Sequence, residues 1–261
     1  MEQQIFQCYA SQPMEEHFAS NLRKRWNLTP YHDVNAPTVM FGWYDHKDDE
    51  QFLLNHKGPL VMVWGGADMN PHRTRFIQNR PHSYQFGYGW QSNLFNNWGV
   101  KHRVFTLPLK DYSPFTPTPL GDKIYVYKGW KVDRGGYFKW NELIQPLINE
   151  WGKENFVFGM GHNIDYVYEN YYKKCFIFIK PNERGGSTSM WELGHMGRKT
   201  IAQNQGGAPN VLECTDINHI GKLVNEEAKK IGTIQEDLNF QINSHFMNDN
   251  KWLNLNWWEN G

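Results

Sequence analysis

The residues most able to do chemistry lie in a short polar turn, Gly185, Gly186, Ser187 and Thr188, with a lone carboxylate, Glu192, four positions beyond it. The turn follows an apolar run and opens a helix-forming stretch. Unpaired amides at a helix start, joined by the hydroxyls of Ser187, Thr188 and Ser189, form a ready site for an anion. Gly185 and Gly186 let the backbone approach a ligand with no Cβ in the way. Glu192, near the end of the first turn, is placed to accept from two adjacent hydroxyls of a ribose. A plainer reading stays open: the glycines make a turn, and Glu192 only favours the helix dipole.

A second candidate segment, YKGWKVDRGGYF, begins at residue 127 and follows the first strand-like run of the chain's second half. Lys128 and Arg134 are six residues apart there. Both suit a diphosphate, the lysine as a point charge and the arginine as a fork. In the first half, VWGGADMNPH (63–72) carries Asp68 and His72 beyond a strand end, and His46 follows GWYD. The sequence does not choose among His46, Asp68 and His72 as a group at a reaction centre. Cys8, Cys175 and Cys214 have no metal-ligand spacing and read as small buried hydrophobes in a reducing compartment.

The elements that must position these residues alternate in type. Apolar runs at 5–10, 38–44, 59–66, 84–87 and 103–109 read as strands. Amphipathic stretches at 14–26, 48–56, 71–78 and 90–98 read as helices. The segment 110–122 has three prolines and no periodicity, which marks a linker. The alternation then restarts, with strands at 123–129, 154–161, 174–181, 199–204 and 210–214. Helices are expected at 137–151, 164–173, 188–197 and 217–231, the last capped by Asp216 with Ile217, Ile220, Leu223, Val224 and Ile231 as its apolar stripe. Two β/α alternations mean two parallel sheets covered by helices, and such sheets bind ligands at the carboxyl ends of their strands.

On these residues the second half resembles the donor-binding domain of GT-B fold glycosyltransferases of the family-four, retaining group. The basic pair of that group is matched by Lys128 and Arg134-Gly135. Its Gly/Ser-rich turn and helix with a Glu and a following Gly are matched by 185–188, Glu192 and Gly197. TIAQNQGGAPNVLE and LECTDINHIGKLVNE match its closing segments. The resemblance covers 123–231 well, and 39–109 by element order only. It implies that the basic pair binds a donor diphosphate, that Glu192 binds the ribose, and that the turn binds phosphates or sugar. The group has two glutamates separated by seven residues. Here Arg184 occupies the first of those positions and Glu183 falls one residue early, so either the loop bulges or Arg184 acts differently. Lys128 stands where the group more often has arginine.

The implied organisation is an acceptor-side Rossmann-like domain at 1–112, a linker at 113–122, a donor-binding domain at 123–231, and a helical tail at 232–261 packing back on the first domain through Trp252, Trp257 and Trp258. The two domains would face each other across a cleft. The implied activity is sugar transfer from a nucleotide-diphosphate sugar, a UDP-sugar first among them, to the hydroxyl of a glycan or small molecule, with retention and with neither metal nor other cofactor.

Composition limits the alternatives. The 261 residues carry 27 basic and 27 acidic side chains, and 12 Trp, 13 Tyr and 16 Phe are enough large rings to fill a core. Zero net charge argues against binding nucleic acid through bulk electrostatics. Yet 69–110 holds six basic residues, three histidines and no acid, so a nucleic-acid acceptor of the hydroxymethylpyrimidine kind is one alternative. A non-catalytic sugar- or nucleotide-binding module is another. No apolar run is long enough for a membrane span and no leader pattern opens the chain, so a cytoplasmic protein is expected.

Overall fold

The computed structural model describes residues 5–44, 47–66, 68–127, 140–159, 163–180, 188–203, 207–214 and 216–260. They form two units, one of 1–111 with 246–261 and one of 112–245. Each is built on a parallel sheet.

In the first unit the strands are β1 (Gln7–Ala10), β2 (Thr29–Pro30), β3 (Thr38–Phe41), β4 (Leu60–Val63), β5 (Ser83–Gly87) and β6 (Arg103–Val104). They lie in the order β2-β1-β3-β4-β5-β6, and every pairing is parallel. The alternating strand residues explain why both faces are covered. Val39, Phe41, Val61 and Val63 belong to one apolar cluster with Leu22, Trp26, Trp252 and Trp258. Met40, Leu60, Met62 and Trp64 belong to another with Phe52, Ile77 and Phe95. A strand buried on both faces reads as a continuous apolar run, as β3 and β4 do. β6 stops well short of the run expected over 103–109. Beyond it Thr106 pairs in parallel with Phe246, and its carbonyl accepts from Met247 N at 2.8 Å. Trp252 is fully buried and meets Trp26 edge-on at 5.3 Å.

The second unit contains β7 (Lys123–Tyr127), β8 (Phe156–Gly159), β9 (Cys175–Ile179), β10 (Lys199–Ala202) and β11 (Val211–Glu213), in the order β11-β10-β9-β7-β8 and again parallel. Asp216 caps the helix Ile217–Ala228 by accepting from His219 N at 2.9 Å. That helix ends before Ile231, which is 42% exposed, so Ile231 is not part of the stripe; Ile220 and Val224 are buried in it.

Two expected boundaries are corrected. The proline-rich segment is no free linker. Tyr112, Phe115 and Leu120 are buried, and the guanidinium of Arg198 holds the carbonyls of Thr118 and Pro119 at 2.9 and 2.7 Å. The tail does not leave at residue 232 either: the helix Glu236–His245 stays with the second unit. It buries Leu238 and Ile242, and Ile242 Cδ1 lies only 2.4 Å from where a Cβ on Gly194 would be. Glycine at 194 is what permits this approach.

The three cysteines are free thiols. Burial pushes Cys8 up to about 11 and Cys175 up to about 12, so both stay protonated and unreactive.

Candidate functional site

The strand order of the second unit brings β7 and β9 together although β8 lies between them in sequence. The chain leaves β7 toward β8 on one side and leaves β9 toward β10 on the other. Such a switch point opens a crevice at the carboxyl ends of the two strands, where ligands of parallel sheets bind. Val126 pairs with Ile179, so the chain passes that edge at Tyr127 and Lys180. Lys128 and Arg134 follow β7 in sequence, and Glu183, Arg184, Gly185, Gly186 and Ser187 follow β9. All seven lie outside the described residues, as does His46.

The helix Thr188–His195 carries the remaining candidates of this unit. Thr188, partly exposed, is its first residue. Glu192 is its fifth and is only 3% exposed. Its Oε2 accepts from the Tyr172 hydroxyl at 2.6 Å. Tyr125 lies beside the pair, on the strand that precedes the switch point. Burial, above all, and then the negative charge of neighbours including Glu192 hold both phenols well above their ordinary range. They therefore remain protonated donors at any working pH. Aromatic contacts brace the group: Tyr125 meets Tyr172 edge-on at 5.5 Å and Phe178 at 5.0 Å. Gly159 is required beside it, because a Cβ there would fall 2.3 Å from the Tyr125 hydroxyl oxygen. A buried carboxylate is costly unless hydrogen-bonded, and the Tyr172 hydroxyl contributes to that compensation.

Sequence reading missed Tyr125, Tyr172 and Lys180. Lys180 is 8% exposed, and burial pushes its ammonium down to about 8. A signal existed in KCFIFIKP: strand alternation puts Lys180 on the same face as Phe178 and Phe176. Nothing local marks Tyr172 as a partner of a carboxylate twenty residues on. His195, at the end of the same helix, stacks on Tyr112 at 5.0 Å, and burial pushes its imidazole down to about 4.

In the first unit the switch falls between β1 and β3. Asp68 is buried, and its carboxylate accepts from the backbone N–H of Trp43 (2.8 Å), Gly65 (3.3 Å) and Gly66 (2.7 Å). Burial raises its pKa while those donors lower it. The side chain thus ties the loop after β3 to the loop after β4. Arg73 completes the tie by donating to the carbonyls of Trp43 (2.7 Å) and Asp68 (3.0 Å) and stacking over the Trp43 ring at 4.9 Å. Gly65 lies beside the Tyr44 hydroxyl, where a Cβ would come within 2.2 Å of its oxygen. His72 is exposed on the first turn of the helix Pro71–Asn79, which Asn70 caps through Arg73 N.

The acid-free stretch is less available than its composition suggests. Arg73 is committed as described. Arg80 donates to the carbonyls of Gly58 and His56. Arg103 donates to the carbonyl of Trp257 and stacks on its ring at 3.9 Å. Among the described residues no cluster of three or more His, Cys, Asp or Glu could hold a metal ion, and no helix is long and apolar enough to cross a membrane.

No family model and no curated protein sequence matches the chain. Solved structures do. Sucrose-phosphate synthase from Thermosynechococcus elongatus superposes with a TM-score of 0.56 at 11% identity, over 85% of this chain and 71% of that one. Anabaena HepE in complex with UDP gives 0.54 at 12% identity, over 85% and 77%. Staphylococcus aureus TarM in complex with fondaparinux, α-GlcNAc-glycerol and UDP gives 0.54 at 15% identity, over 85% of this chain and 56% of TarM. The chain has the fold of these GT-B glycosyltransferases: two units, each with a helix-covered parallel sheet.

Proposed function

We propose that the protein is a glycosyltransferase of the retaining, family-four kind. It would move a sugar from a nucleotide-diphosphate sugar to the hydroxyl of a glycan or small molecule, with the second unit binding the donor and the first serving the acceptor. The observation that carries this reading is the β7/β9 switch point. The two segments singled out for anion chemistry leave the two strands that flank it, and Glu192 is held on the helix that follows. The GT-B fold supports the same reading, and HepE is known in complex with UDP and with UDP-glucose, which favours a UDP-sugar as donor.

In this reading Glu192 accepts from the ribose hydroxyls. Lys128, Arg134 and the amides and hydroxyls of 185–188 hold the diphosphate, with Glu183 or Arg184 toward the sugar. The bond from the anomeric carbon to the diphosphate oxygen breaks, and the acceptor oxygen forms its bond to that carbon on the same face. The departing diphosphate takes the acceptor's proton. Negative charge grows on that diphosphate in the transition state, so fixed cations and N–H donors around it lower the barrier without a metal. Asp68 serves by shaping its loop, and His72 and His46 remain the candidate side chains of the first unit. With the donors of Arg73, Arg80 and Arg103 committed internally, the basic stretch supports a nucleic-acid acceptor less than its composition suggests.

The test is a thermal-shift panel of UDP-, GDP-, ADP- and dTDP-sugars on the full chain. The correct donor at 100 times its Kd stabilises by about 2.7 kcal/mol. No shift with any donor, and no donor hydrolysis, refutes the reading. So does an unchanged donor affinity in Glu192→Ala.

A further inference from the structure

We infer that Tyr172 is a positioning residue for Glu192, and that through it the protein distinguishes a ribonucleotide from a 2′-deoxyribonucleotide. The inference rests on the reading of Glu192 as the ribose acceptor. The phenol and carboxylate are both buried and joined at 2.6 Å, within the range of a short charge-assisted bond. The Glu192 side chain has three rotatable bonds, so a carboxylate aimed at two hydroxyls must be held by something other than its own backbone.

Tyr172 is suited to hold it. Its ring packs edge-on against Tyr125 at 5.5 Å. Its hydroxyl donates to Glu192 Oε2, so the direction of that bond follows from where the ring is held. A carboxylate offers about four acceptor positions, of which the phenol takes one. The phenol fixes the orientation of the carboxylate plane, and that orientation decides whether two vicinal hydroxyls are met together or one at a time. A site built to bond a hydroxyl rejects the analogue that lacks it, because the buried acceptor is left unpaired.

The experiment compares wild type, Tyr172→Phe, Glu192→Gln and Phe115→Leu as full chains. Calorimetry gives Kd for UDP, GDP, ADP and CDP, and then for the 2′-deoxy form of the tightest binder. Wild type is expected to prefer the ribonucleotide by more than about 10-fold, equivalent to about 1.4 kcal/mol. Tyr172→Phe keeps the ring and removes only the hydroxyl. It is expected to lose most of that preference while 2′-deoxy binding stays within about twofold of wild type. Phe115→Leu loosens the aromatic packing near Tyr172 without touching the carboxylate and is expected to keep the preference, which separates positioning from mere packing.

If wild type binds none of the four, or shows no ribose preference, the reading of Glu192 fails and the inference goes with it. If Glu192→Gln loses the preference and Tyr172→Phe keeps it, the inference alone is overturned. Should Tyr172→Phe not melt cooperatively, Tyr172→Met, which also lacks the hydroxyl, takes its place. The same fall in preference is expected there, and full preference overturns the inference.

Discussion

Replacing Arg198 with methionine removes the cation that fastens the 112–121 segment to the second unit. Arg198 is fully buried, and its guanidinium donates to Thr118 O at 2.9 Å, Thr118 Oγ1 at 2.7 Å, Pro119 O at 2.7 Å, Cys175 O at 3.3 Å, and the carbonyl of Met196. The losses are unequal. Cys175 O keeps the Gly121 N–H at 3.1 Å, and Met196 O keeps the Thr118 N–H at 3.4 Å. Thr118 O and Pro119 O lose the arginine as donor, and a buried acceptor left without one costs about 1–3 kcal/mol. Relief from burying a cation, visible in the lowered pKa of Arg198, offsets part of this. The net expectation is a loss of about 3 kcal/mol confined to the second unit. At a urea slope of about 1–3 kcal/mol/M that moves the midpoint down by at least ~1 M. Hydrogen exchange should show the amides of Gly121 and Lys123 losing protection while those of β3 and β4 in the first unit keep theirs. Arg198→Lys should recover little, because one ammonium cannot span the same carbonyls. An unchanged midpoint together with unchanged exchange over 112–123 refutes the argument that this guanidinium holds the segment.

Three further outcomes follow from the same structure. His195 titrates near 4 when folded and near 6.5 when unfolded, so the unfolded chain binds the extra proton in that window. Stability is then full above pH 6.5 and falls by about 3 kcal/mol as pH drops through 4, and a His195→Gln variant should flatten that part of the urea-midpoint profile. Lys180 titrates near 8 when folded against 10.5 unfolded. Stability therefore rises with pH from about 8 to 10.5, and Lys180→Met should be the more stable protein at pH 7 by up to about 3 kcal/mol, an advantage that vanishes near pH 10.5. Asp68→Ala removes the acceptor of three backbone N–H groups and is expected to cost about 2–4 kcal/mol. Exchange at Trp43, Gly65 and Gly66 would rise, and unchanged exchange there would mean the carboxylate does not organise those loops.

The sequence by itself determined the class of the protein. Apolar runs of strand length alternating with helical spacing lead to two parallel sheets, and local chemistry is enough for features such as the Asp216 cap and the helix Trp90–Trp98, which begins and ends where its residues say it should. The turn at 185–188 with Glu192, and the pair Lys128 and Arg134, are local patterns too, and they carried the resemblance to GT-B enzymes. Only the tertiary structure decided which strands are neighbours. The β7/β9 switch point depends on pairing across fifty residues, to which periodicity is blind. It also decided what becomes of polar groups. Arg73, Arg80 and Arg103 read as a basic surface until their donors are followed to internal carbonyls. The proline-rich segment reads as a linker until Arg198, some eighty residues away, is found holding it. Glu192 reads as a helix-start carboxylate until Tyr172 reaches it. The physical reason is common to all three. A buried polar group must find a partner, and that partner is chosen by how the sheets pack, not by its neighbours in sequence.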